Sequence, residues 1–189
     1  MCANKIFHRI WNGLLSLFTT NSLPEMEPLT KEEKKLLIDG WPKLKEKNSD
    51  LFLRAWIKSA HGSVNIKKAT GLREDEEPES NARFISLAPF IEDFVDKIII
   101  ELQCNDTKVA EECRKLGAKH VLIENFHTNF WDIFLGNLIQ IILEAHSDED
   151  QQQILAICKK FFAFFVNFMR DGYKKRVQEQ LNGRRRMNV

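Results

Sequence analysis

The chain has 189 residues, with 28 Lys and Arg against 27 Asp and Glu, and its net charge of +1 leaves no global field to recruit nucleic acid or an acidic substrate. That length suits one domain with tails, built around one proper core. Phenylalanine is abundant at 14 against a single tyrosine, so the interior is aromatic but poor in hydroxyls, and a site within it is apolar.

The leader "MCANKIFHRIWNGLLSLF" places Ile6, Phe7, Ile10, Trp11, Leu14, Leu15 and Phe18 at helical spacing beside Lys5 and Arg9. It reads either as a helix lying on a membrane surface or as an extra helix packed on the domain. A signal peptide fits less well, because "TTNS" is not a clean small-residue cleavage site. Cys2 could be acylated, although position 2 lacks the glycine that myristoylation requires. No apolar run reaches the roughly 18 to 20 residues of a membrane-spanning helix. "SLPEMEP" then reads as a linker, so residues 1–27 form a leader and linker.

The body opens with Thr30 and Glu33 in "LTKEEKKLLIDGW", a capping box, followed by Leu36, Leu37, Trp41 and Leu44 on one helical face. Pro42 is expected to bend or end this helix. In "SDLFLRAWIKSA", Ser49 or Asp50 caps a second helix striped with Leu51, Phe52, Ala55 and Trp56 and ended by Gly62. "GLREDEEPES" reads as an exposed loop with solvated charges.

Ser80 or Asn81 caps a long apolar helix through Phe84, Leu87, Ala88, Ile91, Val95, Ile98 and Leu102. Pro89 inside it is expected to kink the helix or delay its regular part. "NDTK" starts a shorter helix reaching His120, and two more helices follow, separated near Ser147. No strand-like alternation occurs, so the chain reads as all-α with six to eight helices. From residue 177 it reads as a frayed basic tail.

Four cysteines (Cys2, Cys104, Cys113, Cys158) form no CxxC pair, which argues against a zinc module or a secreted disulfide framework and for a reducing cytoplasm. Cys104 and Cys113 lie close enough in sequence to pair if oxidised, but read first as two ordinary thiols.

Taken together, "LTKEEKKLLIDGW", "FLRAW", "KLGAKHV", Phe130 ten residues after His120, and "FMRDGY" occur in an order that resembles a globin across residues 28–176. The flavour is that of nematode and neuroglobin-like intracellular globins. The resemblance implies a globin fold, a three-over-three helical sandwich around haem b, with His120 as the proximal iron ligand. One imidazole nitrogen then binds iron, and the other donates to a backbone acceptor such as the Leu116 carbonyl. By the same resemblance Leu116, Phe126, Phe130 and Phe134 line the proximal pocket, while Phe52, Leu87 and Ile91 face the distal ligand.

Two departures stand out. The phenylalanine that wedges haem in globins falls on Ile66, with Ala60 in place of the proline before it. The distal residue, commonly His or Gln, is Leu87, so the pocket lacks a donor for bound oxygen. Such a bond contributes about 1.5 to 3 kcal/mol. His8, His61, His127 and His146 are placed away from the distal side, and the resemblance therefore implies five-coordinate ferrous haem.

Binding or transport of oxygen follows from the resemblance, with carbon monoxide and nitric oxide as further ligands and a reductase as a partner. The apolar distal side suits sensing or redox signalling better than bulk carriage. A haem-free globin-fold interaction module is the competing reading, favoured by Ile66 and the missing distal donor. No Ser/His/Asp, paired-carboxylate or Gly-rich phosphate motif suggests side-chain enzyme chemistry, although slow haem redox chemistry stays open.

Overall fold

The first helix begins where the capping box sets it. In a computed structural model that describes residues 28–145 and 149–187, Thr30 Oγ1 accepts from the Glu33 amide at 3.1 Å, and Glu33 Oε2 accepts from the Thr30 amide at 2.7 Å. The leader, the break near Ser147, His8 and His146 lie outside the described residues.

Helix α1 (Lys31–Lys47) does not end at Pro42 as expected; it continues for another turn. Tertiary anchors on both sides of the proline hold it. Trp41 and Leu44 are buried, Trp41 Nε1 donates to Asp96 Oδ1 at 2.7 Å, and Lys45 pairs with Glu92 and Asp96.

Helix α2 (Leu51–His61) stops at Gly62, and α3 (Val64–Ala69) follows, with the Ser63 side chain accepting from the Ile66 amide. Asp50 occupies the cap of α2 without a side-chain cap bond. The acidic loop after α3 is not merely solvated. Lys67 is only 8% exposed, and its ammonium donates to the carbonyls of Glu74 at 2.9 Å and Glu76 at 2.8 Å. Leu72 and Pro78 are buried, and a 3-10 turn spans Pro78–Ser80. A buried lysine thus ties the loop to α3, an arrangement that its surface-like composition hides.

The expected long helix is divided into α4 (Ala82–Ile85), α5 (Ala88–Asp96) and a π-helical turn over Lys97–Glu101. Pro89 sits in the first turn of α5, where its missing N–H is not needed, so the proline delays the regular part. The widened turn buries both Ile98 and Ile99.

Helix α6 (Asp106–His120) starts at Asn105, whose side chain accepts from the Lys108 amide. Helices α7 (Asn129–Ala145) and α8 (Glu149–Met187) complete the described chain, and α8 runs well past residue 177, where a frayed tail was expected. The dominant helix pairs are α6 with α8 and α2 with α7; α7 and α1 also pack on α8, and α5 packs on α2. This is the all-α globin fold, with no strand among the described residues.

Leu37, Trp41, Phe52, Leu138, Ile142 and Phe162 lie in the main core, and a second cluster gathers Ala60, Ile66, Leu72, Phe84 and Phe130 at the corner. Cys104, Cys113 and Cys158 are free, buried thiols. Burial pushes Cys104 and Cys158 up to about 12, so neither is a ready nucleophile.

Candidate functional site around His120

His120 is the last residue of α6, and two glycines fix where it stands. A methyl group on Gly117 would overlap the backbone of Met169 in α8, and one on Gly172 would overlap the backbone of Arg114 in α6. The two helices therefore meet backbone to backbone, one turn from the histidine. Only glycine leaves room for that approach.

The imidazole is held on its own helix. His120 Nδ1 lies 2.8 Å from the Leu116 carbonyl, so that nitrogen carries the hydrogen and donates it. The lone pair then belongs to Nε2, which makes no hydrogen bond among the described residues. Burial lowers the pKa of the ring below its ordinary value, against the opposing pull of the Leu116 carbonyl, and so favours the neutral form. A neutral imidazole with one nitrogen committed and the other free is a donor suited to a transition metal.

Aromatic rings enclose it. Phe126 lies 4.8 Å from the His120 ring and Trp131 5.2 Å, the latter edge-on at 78°. Trp131 was missed in the sequence. It is buried, and its indole Nε1 has no hydrogen-bond partner among the described residues. The next residue, Asp132, pairs through Oδ2 with Arg170 of α8 and leaves Oδ1 buried and unpartnered. Burial raises the Asp132 pKa, and Arg170 opposes that shift.

The other predicted residues divide between two places. Leu116 and Phe126 pack against the main core beside His120, whereas Phe134 lies deeper, 6.5 Å from Phe52 in a stacked pair. Two residues assigned to opposite sides of the haem thus stack on each other. Phe130 does not face His120 through any ring contact; it touches Phe126 at 5.4 Å and packs with Ile66 and Phe84 in the corner cluster.

On the distal side, Phe52 is fully buried against Trp41, and Ile91 is half-buried against the main core. Leu87 sits half-buried at the break before α5. All three are hydrocarbon. His61 is engaged with Glu79 at 2.9 Å on the surface, and His127 is exposed beside Phe130 at 5.6 Å. Neither belongs to the distal wall.

The site's walls come from elements that are not principal packing partners: α5 rests on α2, while α6 rests on α8. The donor chemistry at His120 and the apolar side chains around it suit a flat apolar group with a metal at its centre. Two surface hollows of about 320 and 410 Å³ lie elsewhere, beside Arg54, His61 and Glu144 and beside Trp41, Lys45 and Glu92.

No family model matches the chain, and no curated protein matches it. Among solved structures it is similar to a hexacoordinated heme protein from an anhydrobiotic tardigrade, solved at pH 4. The identity is 15%, the TM-score is 0.68, and the match covers 81% of this chain and 99% of the other. That likeness agrees with the fold.

Proposed function

We propose that the chain is a haem-binding globin in which Nε2 of His120 binds the iron of one haem b. The observation that carries this reading is the half-buried imidazole whose Nδ1 is committed to Leu116 and whose Nε2 is free among the described residues. The heme protein to which the chain is similar in fold supports it, and the sequence flavour within globins is nematode or neuroglobin-like.

Haem, when bound, supplies an iron with an open face for oxygen, carbon monoxide or nitric oxide. The chain's residues set how that face behaves. Leu116, Phe126 and Trp131 hold the proximal side, while Phe52, Leu87, Ile91 and the corner residue Ile66 supply hydrocarbon around the rest. No described histidine stands on the distal wall, so the proposed ferrous state is five-coordinate, unlike that named for the tardigrade protein.

Without a distal donor, oxygen is held weakly relative to carbon monoxide or nitric oxide, and the iron oxidises easily. Gas sensing or redox signalling, with a reductase to restore ferrous iron, suits that balance better than oxygen carriage. A cytoplasmic place, with peripheral membrane contact through residues 1–27, accompanies the reading. No described helix is long and apolar enough to cross a membrane.

The test is the absorption spectrum of the full chain after haem addition, in ferric, ferrous and carbon monoxide forms. A five-coordinate ferrous spectrum that turns into a sharp carbon monoxide band, and is lost in His120→Ala, is expected. A six-coordinate ferrous spectrum would overturn the distal assignment. Absence of stoichiometric uptake would favour the haem-free interaction module, a reading supported by the way Ile66, Phe84 and Phe130 close on one another in the corner.

A further inference from the structure

The ring contacts at His120 continue away from the site. Trp131 meets Tyr173 of α8 at 6.2 Å and 87°, and Phe126 touches His120, Trp131 and Tyr173 at 4.8, 5.1 and 5.9 Å. Tyr173 is half-buried and is the chain's single tyrosine. A line of π systems therefore runs from the imidazole to a side chain with access to solvent.

Of the rings beyond the histidine, only the indole and the phenol give up an electron readily; Phe126 does not. Their settings differ in a useful way. Among the described residues Trp131 Nε1 is buried with no hydrogen-bonded acceptor, so an oxidised indole has no base in contact to take its proton and keeps its positive charge. That charge makes it a strong oxidant of the next ring. Tyr173 is partly exposed, and its phenolic proton can leave to water together with the electron.

We propose that Trp131 and Tyr173 form an electron relay between the protein surface and a haem on His120, used in the one-electron steps of peroxide reduction. The proposal rests on the haem reading above. A hydroperoxide, ROOH, takes up two electrons and two protons and leaves as ROH and water. With ferric haem bound, the iron would supply one of these electrons and Trp131 the other. Tyr173 refills Trp131, releasing its phenolic proton to solvent. Two molecules of a one-electron reductant of the phenol or ascorbate class, each giving one electron and one proton, then restore Tyr173 and the iron. The protons balance because Tyr173 regains the one it released.

The experiment mixes the full chain loaded with ferric haem with hydrogen peroxide, freezes it rapidly and records the electron paramagnetic resonance spectrum, normalised to bound haem. A tyrosyl signal can come only from Tyr173, because no other tyrosine is present. The wild type is expected to give that signal, Trp131→Phe to lose most of it, and Tyr173→Phe to show a tryptophanyl signal in its place. A tyrosyl yield in Trp131→Phe equal to wild type, or no tyrosyl signal in haem-loaded wild type, would overturn the relay while leaving haem binding intact. A chain that takes up no haem would overturn both.

Discussion

The helix crossing behind His120 and the corner running from Ser63 to Leu87 are secured by opposite means. At the crossing, α6 and α8 lie backbone on backbone through Gly117 and Gly172, with no side chain between them to adjust. In the corner, three short helical pieces and a loop are drawn together by polar side chains: Lys67 on two carbonyls and Asn81 on Glu76. The first arrangement fixes a ligand rigidly. The second can open locally without disturbing the rest.

The sharpest way to break the comparison is Gly172→Ala. Its methyl group must displace backbone rather than a flexible side-chain end, and the variant is expected to lose about 3 kcal/mol, read from the urea midpoint. An unchanged midpoint would mean that the helices can slide apart. Arg170→Met comes next. It strands the Asp132 carboxylate, which already has one buried oxygen without a partner, and about 2 to 3 kcal/mol should be lost. Removing both charges in an Arg170→Met, Asp132→Leu double variant should recover part of that loss.

Lys67→Met probes the corner. A loss of about 1.5 kcal/mol is expected, confined to that region: amides of residues 71–81 exchange faster, while those of α6 are unaffected. Faster exchange in α6 as well would show that the two regions open as one unit.

A smaller effect concerns pH. Burial lowers the His120 pKa below its ordinary 6.5. Between the lowered and ordinary values the unfolded chain binds a proton that the folded chain does not, so stability rises with pH there and is lost as pH falls through that window. The haem-free wild type should therefore lose more stability than His120→Leu between about pH 7 and about pH 5. Equal losses would mean that the ring is not buried in its neutral form. The smallest effect belongs to His61→Asn, at an exposed pair, which should leave the melting temperature unchanged.

Local features were legible in the sequence where the cause was local. Thr30 with Glu33 and Asn105 with Lys108 set helix starts that follow from side-chain chemistry within four residues. The His120–Leu116 bond likewise depends on one helical turn. Trp131 was hidden because residues 121–128 separate α6 from α7, with Asn125 in the left-handed region at φ 58°. Across such a turn the phase of the next helix cannot be carried over from the previous one. Counting in fours from Phe126 gives Phe130 and Phe134; the ring that reaches His120 belongs to Trp131.

Long-range causes were illegible for the same reason. "KLGAKHV" and "FMRDGY" each contain a glycine, but nothing in either stretch says that it lies against the other. Pro42 was expected to bend or end α1, and the bonds that hold the helix through it come from Asp96 and Glu92 on the segment spanning α5. The acidic loop looks solvated because its composition cannot reveal that its carbonyls face a buried lysine.

The most direct test of the central claim is rescue of His120→Gly by free imidazole. The variant loaded with haem should lack the wild-type ferrous spectrum, and added imidazole should restore it by occupying the space that the side chain left. A His120→Gly protein whose ferrous and carbon monoxide spectra match the wild type without imidazole would contradict the account, because iron would then be held by some other group.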